Sequence, residues 1–154
     1  MPERIYLDSC VLNRPTDDQT QERIRSEVAA IARVLDEVAA GNAEWIASDA
    51  LAFELGRNPH LQRRQDSLDL LAFASETYES AASTYLRMDQ LCAEGYGVFD
   101  ALHLAIAEEA GVASLLTVDD RFLRRAATRP AEARPMVENP LDWLRRRQPW
   151  LIKR

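Results

Sequence analysis

Hydrophobic positions along the chain switch between two periods. Ile24, Val28, Ile31, Leu35 and Val38 recur at steps of three and four, the apolar stripe of a long helix that Gly41-Asn42 closes. Arg4-Ile5-Tyr6-Leu7 is instead a short, partly β-branched run leading straight into Asp8-Ser9. It predicts a buried first strand with an acid at its C-terminal end. Asn13 to Asp18 is a turn cluster. Glu44-Trp45-Ile46-Ala47 predicts a second strand, and Ser48-Asp49 a cap for the helix carrying Glu54. Asn58-Pro59 ends that helix, because the residue before a proline avoids helical angles.

From Leu61 to Glu94 the pattern is helical with a break near Glu76-Thr77-Tyr78, predicting two helices, and Gly95 and Gly97 punctuate the chain after them. Val98 to Ala110 reads as a helix with Phe99, Leu102 and Ile106 on one face and Gly111 as its stop. Ala113 to Thr117 predicts a third strand and Asp119 to Ala127 a short helix. Pro135 to Glu138 predicts a last strand, and Asn139-Pro140 opens a final helix through Trp143. Alternating strands and helices of this kind define an α/β domain. The expected architecture is three-layer α/β/α, helix-rich, with a small, mainly parallel sheet of about four or five strands.

The 154 residues, 47% of them apolar, point to a single domain over residues 1–154 with a sizeable core, and exclude a largely disordered chain. No apolar run approaches the roughly 18 residues of a membrane span. Met1-Pro2-Glu3-Arg4 lacks the basic and apolar parts of a secretory leader. Cys10 and Cys92 are too few for a disulfide framework or a thiolate zinc site. A cytoplasmic protein with no membrane partner is expected. The net charge of −6 is unevenly placed: residues 1–120 hold 9 basic and 22 acidic side chains, residues 121–154 hold 10 and 3. Three readings stay open: an anionic partner for the basic end, internal pairing between the two ends, or a solvated tail.

In open α/β sheets the functional crevice lies outside the carboxyl ends of the strands. Three predicted strands run there into acids: Asp8, the segment from Asp49 to Glu54, and Asp119-Asp120. Asp100, at the start of its helix, can meet them. Each acid alone has a structural explanation, since Asp8 can open a turn, Glu54 can be an exposed helix residue, and acids suit the first turn of a helix. Together on one edge of one sheet, with only Arg57 and Arg121 near in sequence to compensate, they would repel. A divalent cation relieves that repulsion, and oxygen ligands suit Mg²⁺ or Mn²⁺.

The blocks around these acids are recognisable. Ile5-Tyr6-Leu7-Asp8-Ser9-Cys10-Val11-Leu12 resembles the opening strand of the PIN domain family of metal-dependent ribonucleases. Ser48-Asp49-Ala50-Leu51-Ala52-Phe53-Glu54-Leu55 is similar to its second acidic block. Asp100-Ala101-Leu102-His103-Leu104-Ala105, with Leu115-Leu116-Thr117-Val118-Asp119-Asp120-Arg121-Phe122, is similar to its C-terminal signature. The likeness runs in the expected order over residues 4–125. It implies Asp8, Glu54, Asp100 and Asp119 as the catalytic, metal-binding acids. Thr117 matches a hydroxyl that orients the last acid or touches the site, and Ser9 and Asp120 are expected beside the ligands. The resemblance also implies Mg²⁺, with Mn²⁺ as substitute, and endonucleolytic hydrolysis of RNA. Many small bacterial members are VapC-type toxins, so it extends to an antitoxin encoded by an adjacent gene and to a homodimer. Cys10 departs from the asparagine that many of those toxins carry. Residues 126–154 form a basic extension, and Leu141-Asp142-Trp143-Leu144 suits a helix that docks on the body.

Several residues compete for attention. His103, one turn from Asp100, is expected to be packed or hydrogen-bonded near the site rather than to act as ligand or proton donor. His60 is expected in a loop and Cys92 in the core. Cys10 has no activating histidine and is not expected to be a nucleophile. Of Arg14, Arg57 and the Arg121/Arg124/Arg125 group, phosphate contact is favoured for Arg57 and Arg121. Trp143 and Trp150 are expected to pack rather than stack on bases. A haloacid-type phosphatase needs an Asp where Cys10 stands, and a receiver domain needs a late Lys, whereas the only lysine is Lys153. The alternative that stays is a catalytically idle PIN fold that holds RNA or a protein.

Overall fold

The computed structural model describes residues 2–147. Five strands run through them, β1 (Glu3–Leu7), β2 (Ala43–Ser48), β3 (Glu76–Tyr78), β4 (Ser114–Leu116) and β5 (Met136–Glu138). They pair in the order β3-β2-β1-β4-β5, every pairing parallel. The helices in chain order are α1 (Ser9–Asn13), α2 (Glu22–Ala39), α3 (Asp49–Gly56), α4 (Leu61–Asp69), α5 (Ala82–Ala93), α6 (Val98–Ala110), α7 (Asp120–Ala126) and α8 (Pro140–Arg147). The expected α/β/α architecture is therefore present, with five strands and a fully parallel sheet.

Alternation along the central strands divides the core in two. Ile5 and Leu7, Trp45 and Ala47, and Leu116 face one way, where Ile31 and Val34 of α2, Leu51 and Leu55 of α3, and Trp143 and Leu144 of α8 meet them. Tyr6, Ile46 and Leu115 face the other way, onto Leu91 of α5, Leu104 and Ile106 of α6 and Phe122 of α7. This is the two-residue period of a pleated strand. A parallel sheet covered on both faces buries both sets, which is why β1 and β2 read as near-continuous apolar runs.

Two elements differ from the sequence reading. The break at Glu76-Thr77-Tyr78 is the edge strand β3, registered on Ile46, Ala47 and Ser48 of β2. The turn expected from Asn13 onward is preceded by the short helix α1, which Asp8 caps, and continues as a 3-10 turn at Arg14–Thr16.

The charge asymmetry is answered in part by internal pairing. On α8, Arg146 lies 2.9 Å from Glu138 and 3.7 Å from Glu3. Arg147 also pairs with Glu3, and its guanidinium sits 4.4 Å from the Trp143 ring centroid. Trp143 is fully buried, so α8 docks as expected. Trp150 and Lys153 lie outside the described residues. The chain runs outward through β2 and β3, then crosses to β4 and β5 on the other side of β1. That reversal opens a crevice at the carboxyl ends of β1 and β4.

Candidate active site

Asp8 follows the last residue of β1 and is 4% exposed. Its Oδ1 accepts the Ser9 amide at 2.8 Å, and its Oδ2 accepts the Thr117 hydroxyl at 2.8 Å. Thr117, just past β4, in turn accepts the Asp119 amide at 3.1 Å. One buried hydroxyl thus joins the acid after β1 to the acid after β4. Cys10 adds to this: its Sγ stands 3.3 Å from Asp8 Oδ2 and 3.2 Å from Thr117 Oγ1 and accepts the Val118 amide. Burial, and then the charge on Asp8, push the thiol's pKa well up, so Cys10 remains a protonated donor. The position that departs from the family pattern still supports Asp8.

Glu54 reaches the crevice from the second turn of α3. Its Oε1 accepts from Nε2 of His103 at 2.9 Å, and that histidine is fully buried. On the other side of the ring, Nδ1 meets the Tyr6 hydroxyl, which bonds Ser48 Oγ at 2.7 Å. Ser48 also caps α3 by accepting the Leu51 amide. With Nε2 carrying the proton, each group has a partner: Ser48 donates to Tyr6, Tyr6 to Nδ1, and Nε2–H to Glu54. Burial opposes charge on His103, yet the bond to Glu54 and the charges of Asp8, Glu54 and Asp100 together lift its pKa. For Glu54 burial works upward, and the His103 bond, with the Ser9 hydroxyl and Arg57 nearby, brings the net shift down. His103 is hydrogen-bonded beside the site, as the sequence suggested. Tyr6 and Ser48 carried no sequence signal for this role beyond strand and cap.

Asp100, in the first turn of α6, shows the electrostatic cost of the cluster. Burial first, then the charges of Asp8 and Asp119, raise its pKa from 3.8 to about 7. Asp119 caps α7 by accepting the Arg121 and Phe122 amides at 2.9 and 3.3 Å through Oδ1. The charges of Asp8, Asp119 and Glu54 thus all reach Asp100. Ligand atoms of Asp8, Glu54 and His103 all lie within 4.8 Å of one another. Converging carboxylates, with Asp100 beside them raised by burial and by their charge, fit a divalent cation.

Other candidates are placed differently. Asp120 turns to Arg23, whose NH1 and NH2 donate at 2.7 and 2.8 Å, and the structure does not bring it into the cluster. Arg57 lies 5.7 Å from the ring centroids of both Phe53 and Phe99. Arg14 is held by Asp17 and the buried Glu27. Arg121 lines a cavity of about 310 Å³ together with Asp100. His60 caps α4 by accepting the Arg63 amide.

A parallel sheet with carboxylates at its switch point, held by hydroxyl, thiol and imidazole groups, makes this an α/β/α domain with an acidic site. Within it, the family model of the PIN domain matches residues 5–128, and the chain belongs to the PIN domain family. Solved structures share the fold. A chain in the structure of VapBC2 from Rickettsia felis, bound to a DNA fragment from its promoter, aligns with a TM-score of 0.58 at 15% identity, over 88% of this chain and 97% of that one. PAE2754 from Pyrobaculum aerophilum aligns with a TM-score of 0.56 at 14% identity, over 93% and 88%. No curated protein sequence matches the chain.

Proposed function

We propose that this protein is a metal-dependent endoribonuclease and the toxin of a toxin–antitoxin pair. The observation that carries the reading is the convergence of Asp8, Glu54 and His103 ligand atoms within 4.8 Å of one another, beside Asp100, whose pKa burial and then the charges of Asp8 and Asp119 raise to about 7. These four acids would hold Mg²⁺, or Mn²⁺ in its place. A divalent cation, when bound, supplies Lewis acidity at the phosphate and a more acidic water. The chain's own residues do the positioning. Thr117 and Cys10 hold the Asp8 carboxylate, His103 holds Glu54, and Asp119 is fixed as the cap of α7. Ser9 and Arg121 stand beside the ligands. Membership of the PIN family supports the nuclease chemistry, and the fold shared with a chain of a VapBC2 complex supports an antitoxin partner. A homodimer belongs to the same reading. A cytoplasmic location belongs to the same reading, and no described helix is long and apolar enough to cross a membrane.

The test is cleavage of a mixed RNA pool by the purified protein with Mg²⁺ or Mn²⁺ and with EDTA, beside Asp8→Asn. Metal-dependent cutting that disappears in the variant is the expected result. RNA bound but never cut, with any metal, would favour the idle binding module instead.

A further inference from the structure

The cavity that Asp100 shares with α7 has a character opposite to the acid cluster. Its walls include Tyr96, Arg121, Arg124, Arg125 and Thr128. Positions 121, 124, 125 and 128 recur at helical spacing, so one side of this segment faces the cavity. Several arginines elsewhere in the fold each pair with a carboxylate, among them Arg14, Arg23, Arg87, Arg146 and Arg147. Among the described residues, no carboxylate lies within ion-pair distance of Arg121, Arg124 or Arg125. Arg124 acts on Asp120 only through its field, without a direct ion pair.

The turn between α5 and α6 is fitted to one of them. Gly95 has φ +105, a conformation side chains rarely adopt, and a Cβ there would sit 2.9 Å from Cζ of Arg125. The guanidinium therefore lies against bare backbone, and its placement depends on the absence of a side chain at Gly95. Tyr96, Arg125 and Thr128 also line a second cavity of about 240 Å³ that adds Arg129. Arg121, Arg124, Arg125 and Arg129 thus form a track from Asp100 outward along α7 and past its end, with Glu94 the one acid on the wall of the second cavity.

We infer that this track is a phosphate subsite, taking the backbone phosphates of a nucleic acid strand next to the one held at the acids. Guanidinium groups meet phosphate oxygens in a bidentate fork. The division of labour is electrostatic: a phosphate at the acids needs a cation, whereas its neighbours along the strand need fixed positive charge. The inference rests on the nuclease reading for its substrate, and its test needs no turnover.

The experiment measures fluorescence anisotropy of a labelled single-stranded RNA oligonucleotide, and of DNA of the same sequence, on Asp8→Asn protein in EDTA over a series of KCl concentrations. An Arg124→Gln/Arg125→Gln double variant should bind about tenfold more weakly or worse. Its slope of log affinity against log salt should fall by about 0.7 for each phosphate that is no longer neutralised. Arg33→Gln, on the exposed side of α2, should change neither quantity. Equal losses with RNA and DNA assign the track to phosphate alone, and a stronger RNA signal adds contacts to the sugar. Unchanged binding in the double variant, or an equal loss at Arg33→Gln, overturns the subsite. If the parent protein cuts no RNA but binding still depends on Arg124 and Arg125, the nuclease reading fails and the subsite stands.

Discussion

At the scale of single residues, Asp100 makes the sharpest prediction. Its pKa in the fold, about 7, lies above its ordinary 3.8, so the native state binds its proton more tightly than the unfolded chain does. Stability from this group is complete below about pH 4 and is lost as pH rises through about 7. His103, also raised, acts in the same direction. Metal-free Asp100→Asn should therefore melt above the parent at pH 8, with the gap closing near pH 4, as thermal scans in EDTA will read. Asp8 is a different case, because its carboxylate accepts from Ser9, Thr117 and Cys10. Replacing Cys10 by Ala removes one of those donors, and groups that hold a metal ligand typically matter about 10- to 100-fold in affinity. Isothermal titration with Mn²⁺ should show a loss of that order, while Cys92→Ala should show none.

At the scale of elements, α8 repays attention because the family match ends at residue 128, before it begins. Its stripe of Trp143 and Leu144 is buried against α2 and the sheet, while Arg146 and Arg147 reach Glu3 and Glu138. Packing dominates here: partly exposed ion pairs are worth little, whereas removing a buried Trp costs about 3 to 5 kcal/mol. Trp143→Ala should lower the unfolding free energy read from urea titration by an amount of that size, and Arg146→Ala by much less. β3 illustrates the opposite condition. Three residues, mostly exposed, form it by pairing with β2, and nothing in Glu76-Thr77-Tyr78 alone asks for a strand.

For the whole molecule, the acid cluster is a local cost that a cation bound there would relieve. Anything that binds only the native state stabilises it by mass action, about 2.7 kcal/mol at a hundredfold excess over Kd. Millimolar Mn²⁺ should raise the melting temperature of the parent and leave Asp8→Asn nearly unmoved. A shift shared equally by both proteins would place the ion elsewhere.

The sequence by itself determined whatever depends on near neighbours. The helical stripe from Ile24 to Val38, the buried run of β1, the cap at Ser48, and acids at three strand ends are all local patterns of period, propensity and capping. Motif order along the chain carried the family in the same way. Only the tertiary structure decided what meets across long separations. Tyr6 and His103 are 97 positions apart, Glu54 and His103 are 49, and Asp8 and Thr117 are 109. It also sent Asp120 to Arg23, laid Arg57 over Phe53 and Phe99, and left the arginines of α7 around a cavity. The physical reason is register. In a parallel sheet each strand's neighbour is supplied by a crossover far along the chain, so which side chains converge is set when the strands pair.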